Sequence, residues 1–169
     1  MKALGKHLPQ KLRMTSSGFT LIELMVTIAV LAIIMSIAAP SISTQLANQR
    51  VKSTTATLAN ALKEAKVESI LLRQNVTVVY ISNSTPKTIE LQKANGDKIS
   101  SYNLSDKSNV TQTITPSTET KIVFQPNKKL EKNVTVVYTI CDSGSNSETP
   151  KQVNLTNIAN VNTINAGSC

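Results

Sequence analysis

The chain has 169 residues, with 18 Lys and Arg against 10 Asp and Glu, so its formal net charge is +8. This length suits one domain, or one domain with an appendage. Charged residues make up only 17% of the chain and β-branched residues are plentiful, which argues against disorder and for a small β-rich domain. An excess of basic residues is typical of nucleic-acid binding. How strongly it indicates such binding depends on where the charges lie along the chain.

The first 18 residues are basic and contain no acid: their charged residues are Lys2, Lys6, Lys11 and Arg13. Residues 19–39 then form an apolar run with a single charge, Glu23. About 20 helical residues cross the roughly 30 Å hydrocarbon core of a bilayer, so this run predicts a membrane span. A secretory signal peptide has a shorter apolar stretch, which leaves cleavage at Ala38-Ala39 as the lesser alternative. By the positive-inside rule, the N-terminus stays in the cytoplasm and the rest of the chain lies outside it.

A helical pattern resumes after Pro40 and continues to about residue 74. Five residues recur at spacings of three and four and would form a narrow stripe along one face of a helix: Leu58, Leu62, Ala65, Ser69 and Leu72. This pattern predicts an amphipathic helix whose narrow stripe faces a partner. Pro40 should kink the helix, because it removes one backbone donor. A continuous helix from Phe19 to Gln74 would be roughly 80 Å long, which is too long for one small domain, so half of it must pack against other molecules.

Beyond residue 75 the hydrophobic pattern changes to a period of two, which is typical of β-strands. We predict strands at residues 76–81, 87–92, 98–104, 110–115, 121–125 and 133–141, with one further candidate at 152–156 in an otherwise loop-like tail. Ala94-Asn95-Gly96-Asp97 predicts a hairpin turn, because Asn-Gly readily adopts positive φ. The hexapeptide at 75–80 recurs at 133–138 and indicates two similar half-buried strands. The predicted fold class is α+β: a long N-terminal helix, with a transmembrane half and an amphipathic half, packed on a small antiparallel β-sheet.

The sequence Gly18-Phe19-Thr20-Leu21-Ile22-Glu23, which opens the apolar run, resembles the processing site of type IV prepilins. The resemblance extends through Pro40, at the end of the span. It implies that a prepilin peptidase cleaves after Gly18 and methylates the new amino terminus at Phe19. It also implies a pilin-like organisation with a leader peptide at residues 1–18, a transmembrane helix at 19–39, an amphipathic continuation at 40–74 and a β-rich periplasmic domain at 75–169.

Glu23 places a carboxylate inside the apolar run, at a cost of about a few kcal/mol unless it is paired. One explanation is that Glu23 lies close enough to the membrane interface for its carboxylate to reach headgroups and water. The resemblance to pilins implies a different one, in which Glu23 pairs with the amino terminus of a neighbouring subunit during filament entry. Glu23 and Pro40 are therefore the expected assembly residues, and the expected partners are other pilins or minor pilins bound through the N-terminal helix.

Cys141 and Cys169 are the only cysteines of the chain, and both lie in the part predicted to be outside the cytoplasm. An even count in an oxidising compartment predicts a disulfide, with two free buried thiols as the lesser alternative. A closed loop of about 29 residues would stabilise the fold by about 3.5 kcal/mol. Pilins commonly close a C-terminal loop in this way, so the resemblance implies the same bond.

The sequence offers no candidate catalytic residue. Its one histidine, His7, lies in the predicted leader, and the only aspartates are Asp97, Asp106 and Asp142. No cluster of side chains has a workable spacing for a metal, and no base stands ready to activate a nucleophile. We therefore expect a protein that is not an enzyme and that needs neither a metal nor a cofactor.

Residues 122–130 resemble the strand–turn segment of minor pilins of the GspH/FimT/FimU class, with Lys128-Lys129 where that class often has Gly-Arg. DNA-binding members of the FimT type carry a Gly-Arg-rich stretch near the C-terminus, whereas residues 157–162 here contain no basic residue. The candidate DNA-binding residues are Lys121, Lys128, Lys129 and Lys132. Lysines near a turn are more often a solvated face than a phosphate site, so nucleic acid is the less favoured partner.

The resemblance implies a structural subunit in one of three settings. The favoured one is a FimU-like minor pilin in the initiation or tip complex of a type IV pilus. The alternatives are a GspH-like pseudopilin of type II secretion and a FimT-like minor pilin that binds DNA. Each would begin as a single-pass protein of the bacterial inner membrane and then enter a pilus or pseudopilus. Removal of the leader would lower the formal charge from +8 to +4, so half of the basic excess indicates membrane orientation rather than nucleic-acid binding.

Overall fold

The computed structural model describes residues 18–169. Apart from Gly18, the predicted leader lies outside the described residues. The side chain of Pro40, and with it the predicted kink, lies outside them as well. The chain divides into two compact units, one that ends at Ala39 and one from Pro40 to Cys169. The apolar run belongs to the first unit, and the β-rich domain belongs to the second.

The N-terminal helix, α1, extends from Leu21 to Leu71. A hydrogen bond of 2.9 Å from the Leu72 N–H to the Glu68 carbonyl closes its last turn. The helix ends before the predicted limit near Gln74, because Arg73 adopts a left-handed conformation with a φ of 53°. A residue in this conformation commonly terminates a helix.

The second half of α1 buries one face in the domain core. Four of the five predicted stripe positions are buried: Leu58, Leu62, Ala65 and Ser69. Leu72 is 38% exposed, because it lies beyond the last helical residue. The buried face is wider than predicted and also includes Ala47, Val51, Thr54, Thr55, Ala59 and Ala61. This width is typical of a helix that packs on a globular core rather than of a narrow coiled-coil seam.

Within residues 18–169, eight strands follow the helix: β1 (Val76–Ile81), β2 (Thr88–Lys93), β3 (Lys98–Asn103), β4 (Ser108–Thr115), β5 (Ile122–Phe124), β6 (Thr135–Asp142), β7 (Lys151–Leu155) and β8 (Val161–Asn165). They form two four-stranded sheets, in the orders β3-β2-β1-β5 and β4-β6-β7-β8. All of the strand pairs are antiparallel. The turn between β2 and β3 contains Gly96 with a φ of 90°, as the Asn-Gly sequence predicts.

The tail after Asp142 is more ordered than the sequence predicts. A loop-like tail with one candidate strand was expected there, and this prediction is wrong for β8, which pairs with β7 along its whole length. Four of the five side chains of β8 are exposed, so the strand lacks the alternating apolar pattern by which strands are recognised. The division of the strands into two sheets was also not predicted.

One apolar cluster joins α1 to both sheets. The repeated hexapeptide contributes to β1 and β6, and its two copies bury the equivalent residues Val78 and Val136. The copies differ at the tyrosine. Tyr80 donates a hydrogen bond of 3.4 Å to the Val110 carbonyl, whereas the fully buried Tyr138 hydroxyl has no partner among the described residues, and burial raises its pKa. The two copies are therefore similar strands in different sheets.

Polar side chains of α1 also bind both sheets. Glu64 accepts hydrogen bonds from the hydroxyl of Ser100, at 2.8 Å, and from that of Tyr102 in β3. The Thr54 hydroxyl lies 2.8 Å from that of Ser108 in β4. Buried polar contacts specify one arrangement more sharply than apolar packing does. These contacts therefore fix the register of the helix on the two sheets.

Candidate processing and assembly segment

Gly18, Phe19 and Thr20 precede the first helical residue and are exposed. Phe19 has 78% of its surface exposed. A Cβ added at Gly18 would meet no heavy atom of the described chain within 4 Å. Packing within the described residues therefore does not require glycine at this position.

Thr20 is the N-cap of α1. Its Oγ1 accepts a hydrogen bond of 3.2 Å from the N–H of Glu23, and its carbonyl accepts one of 3.1 Å from the N–H of Leu24. Glu23 is the acidic residue of the first turn, where a negative charge interacts favourably with the helix dipole. This cap was not predicted from the sequence, although Thr20 and Glu23 have the spacing of a capping box.

The first half of α1 is apolar and has no packing partner within the described chain. The stretch Leu21–Ala38 has a mean hydropathy of 2.6, and none of it is buried. Its hydroxyls are bonded to the helix backbone: Thr27 donates to the Leu24 carbonyl at 2.8 Å, and Ser36 to the Ile33 carbonyl at 2.7 Å. By length and composition this stretch can cross a membrane, and internally bonded hydroxyls suit that environment.

Cys141 and Cys169 form a disulfide with a Cα–Cα distance of 6.1 Å and a sequence separation of 28 residues. The bond joins the last residue of the chain to β6. Two contacts support the loop that it closes: the Asp142 N–H donates to Glu148 Oε1 at 3.0 Å, and the Thr149 N–H donates to Asn48 Oδ1 of α1 at 2.8 Å. The C-terminal loop is thus attached to both the sheet and the helix.

An ion pair between Arg50 and Asp142 lies beside the disulfide. Arg50 Nε is 2.6 Å from Asp142 Oδ2, and its Nη2 is 3.1 Å from Oδ1. The Asp142 side chain is fully buried, and that of Arg50 is mostly buried. The hydrogen bond from Arg50 lowers the pKa of the Asp142 carboxyl, and a bond from the Gly144 N–H acts in the same direction. This ion pair was not predicted, because it joins residues 92 positions apart and no local sequence pattern indicates it.

The four lysines considered for DNA binding are exposed and lie around β5. Lys121 precedes the strand, and Lys128 and Lys129 follow it in a turn where Lys128 has a φ of 67°. Lys121 and Lys132 line a cavity of about 150 Å³ together with Glu119 and Glu131, whereas the other two lysines are outside its lining. Lys132 Nζ is also 3.9 Å from Glu119 Oε1. Acidic and basic side chains therefore alternate here, and a continuous basic patch is not formed.

Residues 18–169 contain no group of three or more His, Cys, Asp or Glu side chains that could hold a metal ion. Two further cavities, of about 460 and 410 Å³, are lined mainly by hydroxyl, amide and lysine side chains. The structural features of greatest interest are therefore the capped, exposed N-terminal segment and the apolar helix behind it.

Comparison with known proteins agrees with this geometry. Residues 13–39 match the family model of the prokaryotic N-terminal methylation motif. No curated protein matches the sequence. Among solved structures, the type IV minor pilin FimU of Pseudomonas aeruginosa is similar in two crystal forms, with TM-scores of 0.55 and 0.57 and 14% identity. These matches cover 70% and 72% of this chain and 98% and 96% of FimU.

The minor pseudopilin EpsH from the type II secretion system of Vibrio cholerae is similar to the same degree, with a TM-score of 0.54 and 11% identity. That match covers 70% of this chain and 99% of EpsH. The chain thus carries the N-terminal methylation motif and has a pilin-like fold, similar to those of FimU and EpsH.

Proposed function

We propose that the protein is a minor pilin of a type IV pilus, which enters the filament through its N-terminal helix and forms part of the initiation or tip complex. The observation that carries this proposal is the apolar first half of α1, none of which is buried and which lies within the match to the N-terminal methylation motif. Exposed apolar surface of this extent requires a membrane or other apolar helices. A subunit that moves from a bilayer into a bundle of helices satisfies this requirement in both places.

The proposed precursor crosses the inner membrane once, with the leader at residues 1–18 in the cytoplasm and the domain at 75–169 in the periplasm. Prepilin peptidase would cleave after Gly18 and methylate the amino group of Phe19. The disulfide between Cys141 and Cys169 supports an oxidising location for the domain. The basic residues of the leader support the same orientation.

Glu23 and Pro40 are the proposed assembly residues. Glu23 lies in the first turn of α1, close in sequence to the amine that cleavage at Phe19 would create. An ion pair between Glu23 and the amino terminus of a neighbouring subunit would neutralise two charges that are costly in an apolar environment. Such a pair would also fix the axial position of one subunit relative to the next.

A pseudopilin of a type II secretion system is the second candidate, because the similarity to EpsH is as extensive as the similarity to FimU. The same anchor and motif would serve both kinds of filament. The DNA-uptake alternative has weaker support, since Glu119 and Glu131 lie among the candidate lysines. The absence of binding to duplex DNA at low salt, where phosphate contacts are strongest, would end that alternative.

Deletion and complementation in the encoding bacterium separate the first two candidates. For a minor pilin, deletion should abolish or reduce surface filaments, the chain should co-purify with sheared filaments, and release of secreted enzymes should be unchanged. For a pseudopilin, secreted enzymes should accumulate in the periplasm while piliation is unaffected. A deletion strain with normal filaments and normal secretion would contradict both.

A further inference from the structure

Thr20 separates the exposed residues Gly18 and Phe19 from the first helical residue, Leu21. Its side-chain oxygen bonds the Glu23 N–H, which is one of the donors that a helix leaves unsatisfied at its N-terminus. A threonine cap stabilises the helix that begins immediately after it. The position of Thr20 therefore determines where α1 begins, and it leaves the bond between Gly18 and Phe19 just outside the helix.

Loss of this cap would allow the helix to begin elsewhere. Ser16 and Ser17, immediately before Gly18 in the sequence, are residue types that cap helices well. A helix that began at either serine would include Gly18 and Phe19 and would draw their peptide bond into helical hydrogen bonding. Glycine disfavours a helix interior, so the Thr20 cap and Gly18 both act to keep the helix start at Leu21.

We propose that Thr20 is a positioning residue for leader removal. As the N-cap of α1, it holds the Gly18–Phe19 peptide bond in a non-helical, exposed conformation that a peptidase can bind. Hydrolysis there consumes one water molecule and leaves the Gly18 carboxylate and the Phe19 amine. The inference rests on the proposed function, since it requires that prepilin peptidase cleaves at this bond.

The test compares cleavage rates of full-length variants in detergent by a purified prepilin peptidase. Thr20→Val has nearly the same shape but no acceptor, and we expect its kcat/KM to fall about threefold to tenfold, since a cap worth about 1 kcal/mol corresponds to about a fivefold change. Thr20→Ser and Thr20→Asn retain an acceptor and should be cleaved within about twofold of the wild-type rate. Thr27→Val, with the same substitution two turns further along α1, is the matched control and should match the wild type.

Hydrogen exchange at residues 18–24 supplies a second readout, because Thr20→Val should change protection at the start of the helix and Thr20→Asn should restore it. Wild-type cleavage of Thr20→Val would overturn the inference, as would slow cleavage of Thr27→Val. Slow cleavage of Thr20→Asn with a restored helix start would show that the peptidase recognises the threonine side chain directly. That result would also overturn the inference. Failure of the wild-type chain to be cleaved after Gly18 would instead contradict the proposed function.

Discussion

The Asp142 carboxylate is buried against the Arg50 guanidinium at the point where α1, β6 and the disulfide meet. Arg50 lowers the pKa of this carboxyl in the folded chain. Ionised Asp142 therefore stabilises the fold above the ordinary aspartate pKa of about 4, and this stabilisation is lost as the pH falls through the lower folded-state pKa.

Asp142→Asn should lower the free energy of unfolding by about 1–2 kcal/mol at pH 7, because a neutral amide replaces a charged acceptor while water still reaches part of Arg50. Thermal unfolding of the full-length chain in detergent, followed by circular dichroism, measures the difference. The difference in melting temperature between Asp142→Asn and the wild type should disappear as the pH is lowered well below the ordinary pKa of aspartate.

Asp106→Asn is the matched control, since Asp106 is exposed. Its melting temperature should follow that of the wild type at each pH. Equal destabilisation by the two substitutions, or a gap for Asp142→Asn that persists unchanged in acid, would show that the ion pair does not stabilise the fold.

Functional features formed by residues close together in the sequence were easier to predict than contacts between distant residues. Glycine, phenylalanine and glutamate at positions 18, 19 and 23 form a local motif, so the candidate segment could be located without a structure. The contact between Arg50 and Asp142 could not, because it joins residues 92 positions apart and depends on how the helix lies on the second sheet. The Thr20 cap is intermediate, since its spacing from Glu23 is visible but is common in proteins.

At the scale of elements, the second half of α1 is a structural part of the domain core. Leu62 is fully buried, whereas Leu46 on the same helix is 54% exposed. Leu62→Ala should lower the free energy of unfolding by about 2–5 kcal/mol, because it removes buried methyl groups and leaves a cavity. Leu46→Ala should change it by less than about 0.5 kcal/mol. Chemical denaturation of both variants measures the contrast, and similar effects would contradict the assigned packing of α1.

The disulfide supports an edge strand that has little burial of its own. Double replacement of Cys141 and Cys169 by serine should destabilise the domain by up to about 3.5 kcal/mol, since it removes the constraint on the unfolded chain. Hydrogen exchange should increase first in β8, whose side chains are mostly exposed, and later in β6, which is largely buried. Uniform loss of protection in both strands would contradict a local role for the bond.

The strands that bury one face were predictable from their alternating pattern, and β1 was predicted with its observed bounds. The narrow stripe on α1 was predicted too, but its true width was not, because alanine and threonine positions contribute to the buried face. The strand β8 escaped prediction because backbone pairing with β7, rather than side-chain burial, orders it. The division into two sheets depends on contacts between distant strands, which local periodicity does not encode.

In the whole molecule, the two units differ in whether they bury their apolar residues within the chain. The domain from Pro40 to Cys169 has its own apolar core, whereas the apolar half of α1 has no packing partner within the described residues. An element of this kind gains its stability from a bilayer or from other apolar helices.

Glu23→Ala should separate insertion from assembly. The variant retains the apolar run and Gly18, so we expect wild-type amounts of processed chain in the membrane fraction. Its incorporation into filaments should fall to background, because the amino terminus of the neighbouring subunit would lose its partner. Glu68→Ala, which removes a carboxylate from the other half of α1, is the control and should be incorporated normally. Normal incorporation of Glu23→Ala would refute the assembly role.

The proposed function requires that the chain is cut after Gly18 and that it becomes part of a filament. Mass spectrometry of the protein recovered from sheared surface filaments tests both parts at once. We expect an intact chain that begins with N-methylated Phe19 and retains the disulfide between Cys141 and Cys169. Recovery of the protein only from membranes, with the leader of residues 1–18 still attached, would contradict both the cleavage and the incorporation.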